Sequence, residues 1–382
     1  MDIIYQLFFI LLGFFSVSFF KKQLRQSDIV VLKWLWAYHL VFGYFFALFI
    51  KGDPNFYWDL ASQMDYTTFI ENLTTKFGTF FIFSFNYFPA SVLQMSYLSG
   101  TILHTYLGFI AICLIYCMII QLIPNNSYLG KLKIFPLIMF LPNFHFWTVS
   151  VGKDSTSFLF VTLIFYSLLN FKKRFYLAII GMLFLYLIRP HIALFAFISI
   201  GFAYFFSEKA TKFQRIFLSI LVLSFAIIIL PTVLEYSNID SISTENIDNF
   251  TSQKASNLSR EHTGSRIDMS SYPFLLKVFT FLYRPLFFDI NNVTAILASF
   301  ENLFLLLLSI KVIINKPIKA FKNAPLVIQA LFFFLIIGAL AFSQTLSNLG
   351  IMLRMRNMFL PALFLFILWA NAYSDQSKRQ IK

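Results

Sequence analysis

Apolar runs alternate with short polar connections from one end of this chain to the other. Many of the runs are about 17 to 25 residues long, enough for a helix to cross roughly 30 Å of hydrocarbon. A helix also satisfies its own backbone in lipid, which an isolated strand does not. The pattern predicts eleven spans, near 3–20, 30–50, 98–122, 133–149, 155–171, 175–189, 190–206, 214–234, 293–313, 324–344 and 356–373. The expected fold is all-α, a polytopic helical bundle forming a single membrane domain over residues 1–382.

Two stretches break the alternation. Residues 51–97 form a long connection that mixes polar residues with the aromatic run "FGTFFIFSFNYFP". Residues 235–292 begin hydrophilic and then turn apolar in "YPFLLKVFTFLYRPLFFDINN", a run that carries Lys277, Arg284, Pro285 and Asp289. A crossing there would invert every later loop, so both stretches are read as interfacial or re-entrant. Such backbone is tolerated at membrane depth only against protein or a water-filled cavity.

Composition agrees with the pattern. The chain is 59% hydrophobic and only 12% charged, against about a quarter charged in soluble domains. Its net charge of +13 is a topology signal, because cytoplasmic loops collect Lys and Arg. One set of alternate connections holds "KKQLRQSDIVVLK", Lys131 and Lys133, "KKR" at 172–174, Lys209 to Arg215, Lys311 to Lys322, and the tail from Lys378. That side carries a net +16 and the other −3, which together make the +13. The N-terminus is therefore expected outside and the C-terminus inside. The first run has its positive charges after it and no small-residue cleavage site, so it reads as a retained helix. No solvated basic domain exists to bind nucleic acid. Cys113 and Cys117 share one helix face without further metal ligands and read as packing residues.

The outer connections hold the candidate chemistry. In "FHFWTVSVGKDSTSFLF", Gly152-Lys153-Asp154-Ser155 is no phosphate loop: Trp147 stands where the first glycine belongs, and Asp154 where the metal-binding hydroxyl belongs. Lys153 and Asp154 instead lie at the outer mouth of a span. Arg189 and His191 occupy the next outer turn, and Arg284 and Asp289 the re-entrant stretch. Glu301 enters the following span, and Arg354 and Arg356 meet the last outer span end. The first outer loop adds Asp53, Asp59 and Asp65. Arg260, Glu261 and His262 lie in the large loop, as does Asn249-Phe250-Thr251, a sequon expected by chance in an Asn- and Ser-rich stretch. Ionisable groups in apolar surroundings are expensive unless paired or functional, which makes the outer face the candidate site.

Guanidinium groups grip phosphate and diphosphate in bidentate fashion and stay charged. Carboxylates supply a general base for a sugar hydroxyl and stabilise an oxocarbenium-like transition state. A sugar linked to a lipid diphosphate presents both needs. The segments "FHFWTVSVGKDS", "LIRPHIALF", "FLYRPLFFDINN" with "SFEN", and "SNLGIMLRMRN" resemble the bacterial oligosaccharide repeat-unit polymerases of the O-antigen type, across nearly the whole chain. The resemblance implies a glycosyltransferase of the bacterial inner membrane that needs no cofactor. It would join undecaprenyl-diphosphate-linked repeat units into a lipopolysaccharide or capsule chain, beside a flippase and a chain-length regulator. It implies diphosphate contacts from Arg189, Arg284 and Arg354, to which Arg356 and Lys153 add. The base is left open among Asp154, Asp289, Glu301, Asp59 and His191.

A second reading is a multi-helical transferase that adds one sugar from a polyprenyl-phosphate donor. "GDPNFYWDLA", with Asp53 and Asp59, is similar to the acidic first loop of those enzymes, sometimes with a divalent metal. A transporter or flippase is the third, weakened by the absence of an internal repeat and the few ionisable residues near span midpoints.

Overall fold

In the computed structural model, residues 1–123, 128–129, 131–207, 211–237, 265–269 and 271–380 are described. Arg260, Glu261, His262 and Asn249 lie outside them. The described chain is predominantly helical; its strand pairing is a two-residue hairpin, Tyr128–Leu129 with Leu132–Lys133, and a bridge between Arg266 and Asn348. Among the described residues, five helices are long and apolar enough to cross a membrane: Asp2–Phe20, Gln26–Phe49, Tyr97–Leu122, Val293–Ile314 and Leu326–Thr345. A sixth crossing would be Leu349–Arg356 with Leu360–Asp375, a pair bent by 66°. Shorter or more charged helices, Lys153–Ser167, Phe171–Ile188, Pro190–Phe206 and Lys212–Ser237, occupy four other predicted spans. Several long apolar helices make this a multi-pass membrane protein.

The predicted span 133–149 is corrected. It is a 3-10 turn, Leu137–Phe140, followed by the five-residue helix Pro142–Phe146. Its composition is apolar enough, but Pro136 and Pro142 each remove a backbone donor and restrict the residue before them. The broken segment is nonetheless buried: Phe144, His145, Val149 and Val151 are all at most 1% exposed.

The chain divides into two compact units. The first comprises Met1–Leu122 and Pro136–Ala193. Its centre is the Tyr97–Leu122 helix, apolar over most of its circumference and mostly buried, as expected of a bundle-core helix. Asp2 caps this helix from another element: its carboxylate accepts from Ser96 N at 3.0 Å and Ser99 Oγ at 2.5 Å. Near the other end, Tyr116 donates to Asp28 at 2.9 Å. At Gly108 the broken segment comes so close that a Cβ would lie 2.2 Å from the Thr148 carbonyl oxygen. The 51–97 connection folds into three α-helices, Asp53–Gln63, Tyr66–Thr75 and Thr79–Tyr87, the last running on into a π-helical turn, Phe88–Val92. Asp65 caps the second through Thr68 N at 2.8 Å, and this hydrogen bonding holds its exposed carboxyl below the usual range. The third buries Phe81, Ile82 and Phe83, so the aromatic run is largely interior.

The second unit comprises Ile123–Phe135 and Leu194–Lys382. Here Leu326–Thr345 packs on Leu360–Gln380, with Phe334 and Phe359 rings 4.7 Å apart and Phe332 and Phe366 4.4 Å apart. The Phe274–Tyr283 helix has ten residues, roughly 15 Å in length and half the hydrocarbon thickness. It ends where Arg284 meets Pro285 through a cis peptide bond.

Candidate functional site

Each unit gathers one set of the candidate residues. In the first, Gly152 opens the Lys153–Ser167 helix with φ of +131°, a region that side chains avoid, and a Cβ there would come within 2.9 Å of the Tyr57 ring. The turn therefore requires glycine for conformation and for space. It releases Lys153 and Asp154 at the helix head, where the macrodipole favours the carboxylate. Lys153 Nζ donates to Thr79 Oγ1 at 2.8 Å.

Asp154 meets Arg189 in a nearly dry ion pair. Nη2 lies 2.5 Å from Oδ1, and the side chains are 4% and 6% exposed for Arg189 and Asp154. Arg189 owes its position to Pro190, which drives the preceding residue out of the helical region and ends the Phe171–Ile188 helix there. His191 follows in the first turn of Pro190–Phe206, half-buried. Asp53 and Asp59 are exposed on the Asp53–Gln63 helix, whose buried Tyr57 faces Gly152. Asp59 acts electrostatically on Tyr97.

Behind the helix head stands a chain of hydrogen bonds that sequence reasoning missed. Ser155 Oγ and His104 Nδ1 are 2.8 Å apart, and His104 Nε2 and Asn86 Oδ1 are also 2.8 Å apart. All three residues are fully buried. The signal for His104 was its place within an apolar run, since an ionisable residue inside a membrane span is a functional candidate by default. The same signal marks His39, whose Nδ1 lies 2.9 Å from His145 Nδ1.

In the second unit, Arg284 and Asp289 form a two-point pair. Nε donates to Oδ2 at 3.0 Å and Nη2 donates to Oδ1. Asp289 also accepts from Leu286 N at 2.8 Å, and Arg284 Nη1 donates to the Tyr272 hydroxyl at 3.3 Å. The Asp289 carboxylate raises the Arg284 pKa, holding the guanidinium charged, and the Phe288 ring covers it at 5.1 Å. Two donor hydrogens, one on each terminal nitrogen, are not used by these contacts.

Arg356 is only 1% exposed and is turned to protein. Nη1 donates to the Leu282 carbonyl at 2.5 Å, at the end of the Phe274–Tyr283 helix, and Nη2 donates to Asn302 Oδ1 at 2.5 Å. Asn302 in turn donates to the Pro285 carbonyl at 2.7 Å. Glu301, 3% exposed, acts electrostatically on Arg356. Arg354, two residues away on the same short helix, is half-buried. The structure thus brings Asp154 to Arg189, Asp289 to Arg284, and Glu301 to the neighbourhood of Arg356. Lys153 is joined to Thr79, while Asp53 and Asp59 stay on the surface of their helix. Among the described residues no group of three or more metal-ligating side chains is assembled. Comparisons with protein-family models, curated proteins and solved structures give no match.

Proposed function

We propose that this chain is a bacterial inner-membrane glycosyltransferase acting on the outer face, joining oligosaccharide repeat units carried on undecaprenyl diphosphate. The observation that supports it is the buried Asp154–Arg189 pair at the head of the Lys153–Ser167 helix, beside Lys153. Burying such a pair costs roughly several kcal/mol per ion in desolvation, which its Coulomb attraction often does no more than offset, so it is weak evidence for stability alone. It suits a site that must hold a guanidinium ready for an anion.

In this reading Arg189 and Lys153 take the diphosphate oxygens. When diphosphate engages Arg189, Asp154 loses part of its counter-charge and becomes a stronger base. An acceptor sugar hydroxyl then attacks the anomeric carbon of the donor glycan, forming the new C–O bond. The bond from that carbon to the diphosphate oxygen breaks, undecaprenyl diphosphate leaves with the electron pair, and the hydroxyl proton passes to the carboxylate. No metal or cofactor enters the step.

The test is polymer formation in a host whose own gene is deleted, with membrane insertion monitored in parallel. Arg189→Ala is expected to insert and yield single repeat units without a ladder; a normal ladder would sink this assignment. A reporter fused after Lys382 is expected to read as cytoplasmic, and a periplasmic readout would overturn the orientation. A single-sugar transferase is the second reading, supported by Tyr57, which places the helix bearing Asp53 and Asp59 beside Gly152. Under it, the deletion shifts the glycan by one sugar and leaves the ladder otherwise intact, and Asp59→Asn reproduces the shift.

A further inference from the structure

We infer that His104 is the positioning residue for the Lys153–Asp154 helix head, held by Asn86 in the state that carries its proton on Nε2. This inference rests on the proposed role of that helix head.

The protonation pattern follows from partner accounting. Asn86 Nδ2 donates to the Ile82 carbonyl at 2.9 Å, which fixes the amide orientation: a flipped amide would set two oxygens against each other. Asn86 Oδ1 is therefore the atom facing His104 Nε2, and an oxygen acceptor there demands an N–H. A neutral ring then presents a bare Nδ1, and the group beside it is the Ser155 hydroxyl. Ser155 Oγ also lies 2.7 Å from the Ser150 carbonyl oxygen, so its single proton is shared between a ring nitrogen and the backbone of the preceding turn. Every element of this relay is fully buried, and the partners lie 18 and 51 residues apart in sequence.

The mechanical consequence is specific. Ser155 follows Asp154 and bonds the Ser150 carbonyl that precedes Gly152, so Ser155 bridges the turn and His104 holds that bridge from behind. The first outer connection is tied in as well, because Asn86 lies in the last turn of the helix that begins at Thr79, the partner of Lys153. A loose clamp would misplace Lys153 and Asp154, and misplacement on the order of 1 Å costs roughly a hundredfold in rate.

Glutamine carries one acceptor and one donor and can stand in for both ring nitrogens, whereas leucine can replace neither. The experiment uses the full-length protein in lipid nanodiscs, labelled with nitrogen-15 at histidine and assigned with His104→Gln. The expected spectrum has His104 protonated at Nε2, with that preference lost in Asn86→Leu. In the polymerisation assay His104→Gln is expected to stay within about threefold of wild type. His104→Leu is expected to lose roughly a hundredfold in kcat, with KM little changed and unfolding temperature matching that of His104→Gln. A ring protonated on Nδ1 alone overturns the inference whatever the activity, and so does a His104→Leu protein of normal kcat. Wild-type protein that makes no polymer overturns the parent reading instead, and the spectrum alone then decides the state of His104.

Discussion

Asp154 and Arg189 are 35 residues apart in sequence, whereas Arg284 and Asp289 are five apart, yet both form short carboxylate–guanidinium pairs. The first pair is assembled by tertiary packing at the meeting of three helix ends, and its arginine is only 4% exposed. The second is built within one turn after the Phe274–Tyr283 helix; its arginine is 11% exposed and leans on the open Phe288 ring. A tertiary pair depends on the whole fold and cannot relax when broken. A local pair forms wherever its turn forms, and its arginine retains a route toward water. The two therefore suit different duties, fixed geometry in one unit and adaptable grip in the other.

Several substitutions would break or sharpen that contrast. The largest effect belongs to Asp154→Ala, which strands a buried guanidinium; a loss of about 3–5 kcal/mol is expected, read as the unfolding midpoint in detergent. Reversing the pair, Asp154→Arg with Arg189→Asp, should recover part of it, and no recovery would mean that the helix dipole and Lys153 matter more than the pair. Gly152→Ala is next, at about 2 kcal/mol from the left-handed backbone, plus the collision with Tyr57, which Tyr57→Ala should relieve in part. For Asp289→Ala we expect about 1.5 kcal/mol, because Arg284 can turn outward; a cost equal to that of Asp154→Ala would erase the distinction. Tyr272→Phe should change stability by less than about 1 kcal/mol while weakening any anion grip by Arg284, measurable as a raised KM. Salt provides a graded version of the comparison. Added salt should weaken the Arg284 site more than the buried Arg189 site, since screening reaches exposed charges first.

Much of the fold was legible in the sequence because burial in lipid is decided by composition over about 20 residues. The runs at 3–20, 30–50, 98–122, 293–313 and 324–344 coincide with the five long apolar helices. Where composition and backbone chemistry disagreed, composition misled: 133–149 is apolar, but its two prolines forbid a continuous helix. The charged candidates were visible for the same reason, since Arg189 and Arg284 stand out against apolar neighbours. What stayed hidden was partnership. Nothing local in "SFNYF" or "ILHTY" says that Asn86 and His104 meet, because that contact is set by how the Thr79–Tyr87 helix packs on Tyr97–Leu122. Ser155 was invisible for a further reason: a serine at a helix head is first an ordinary cap.

The broken segment after Pro136 has a consequence for how the protein is made. A stretch with two prolines and short helical turns leaves backbone groups unsatisfied, so it has no stable place in lipid by itself. Synthesis runs from the N-terminus, and the Gln26–Phe49 and Tyr97–Leu122 helices leave the ribosome before it does. They already hold His39, the partner of His145, and the bare Gly108 surface on which Thr148 rests. The segment thus arrives at a template prepared by earlier residues, and the Gly152 turn is set only once that template has been filled. Order of emergence, as much as hydrophobicity, brings this part of the chain to its place.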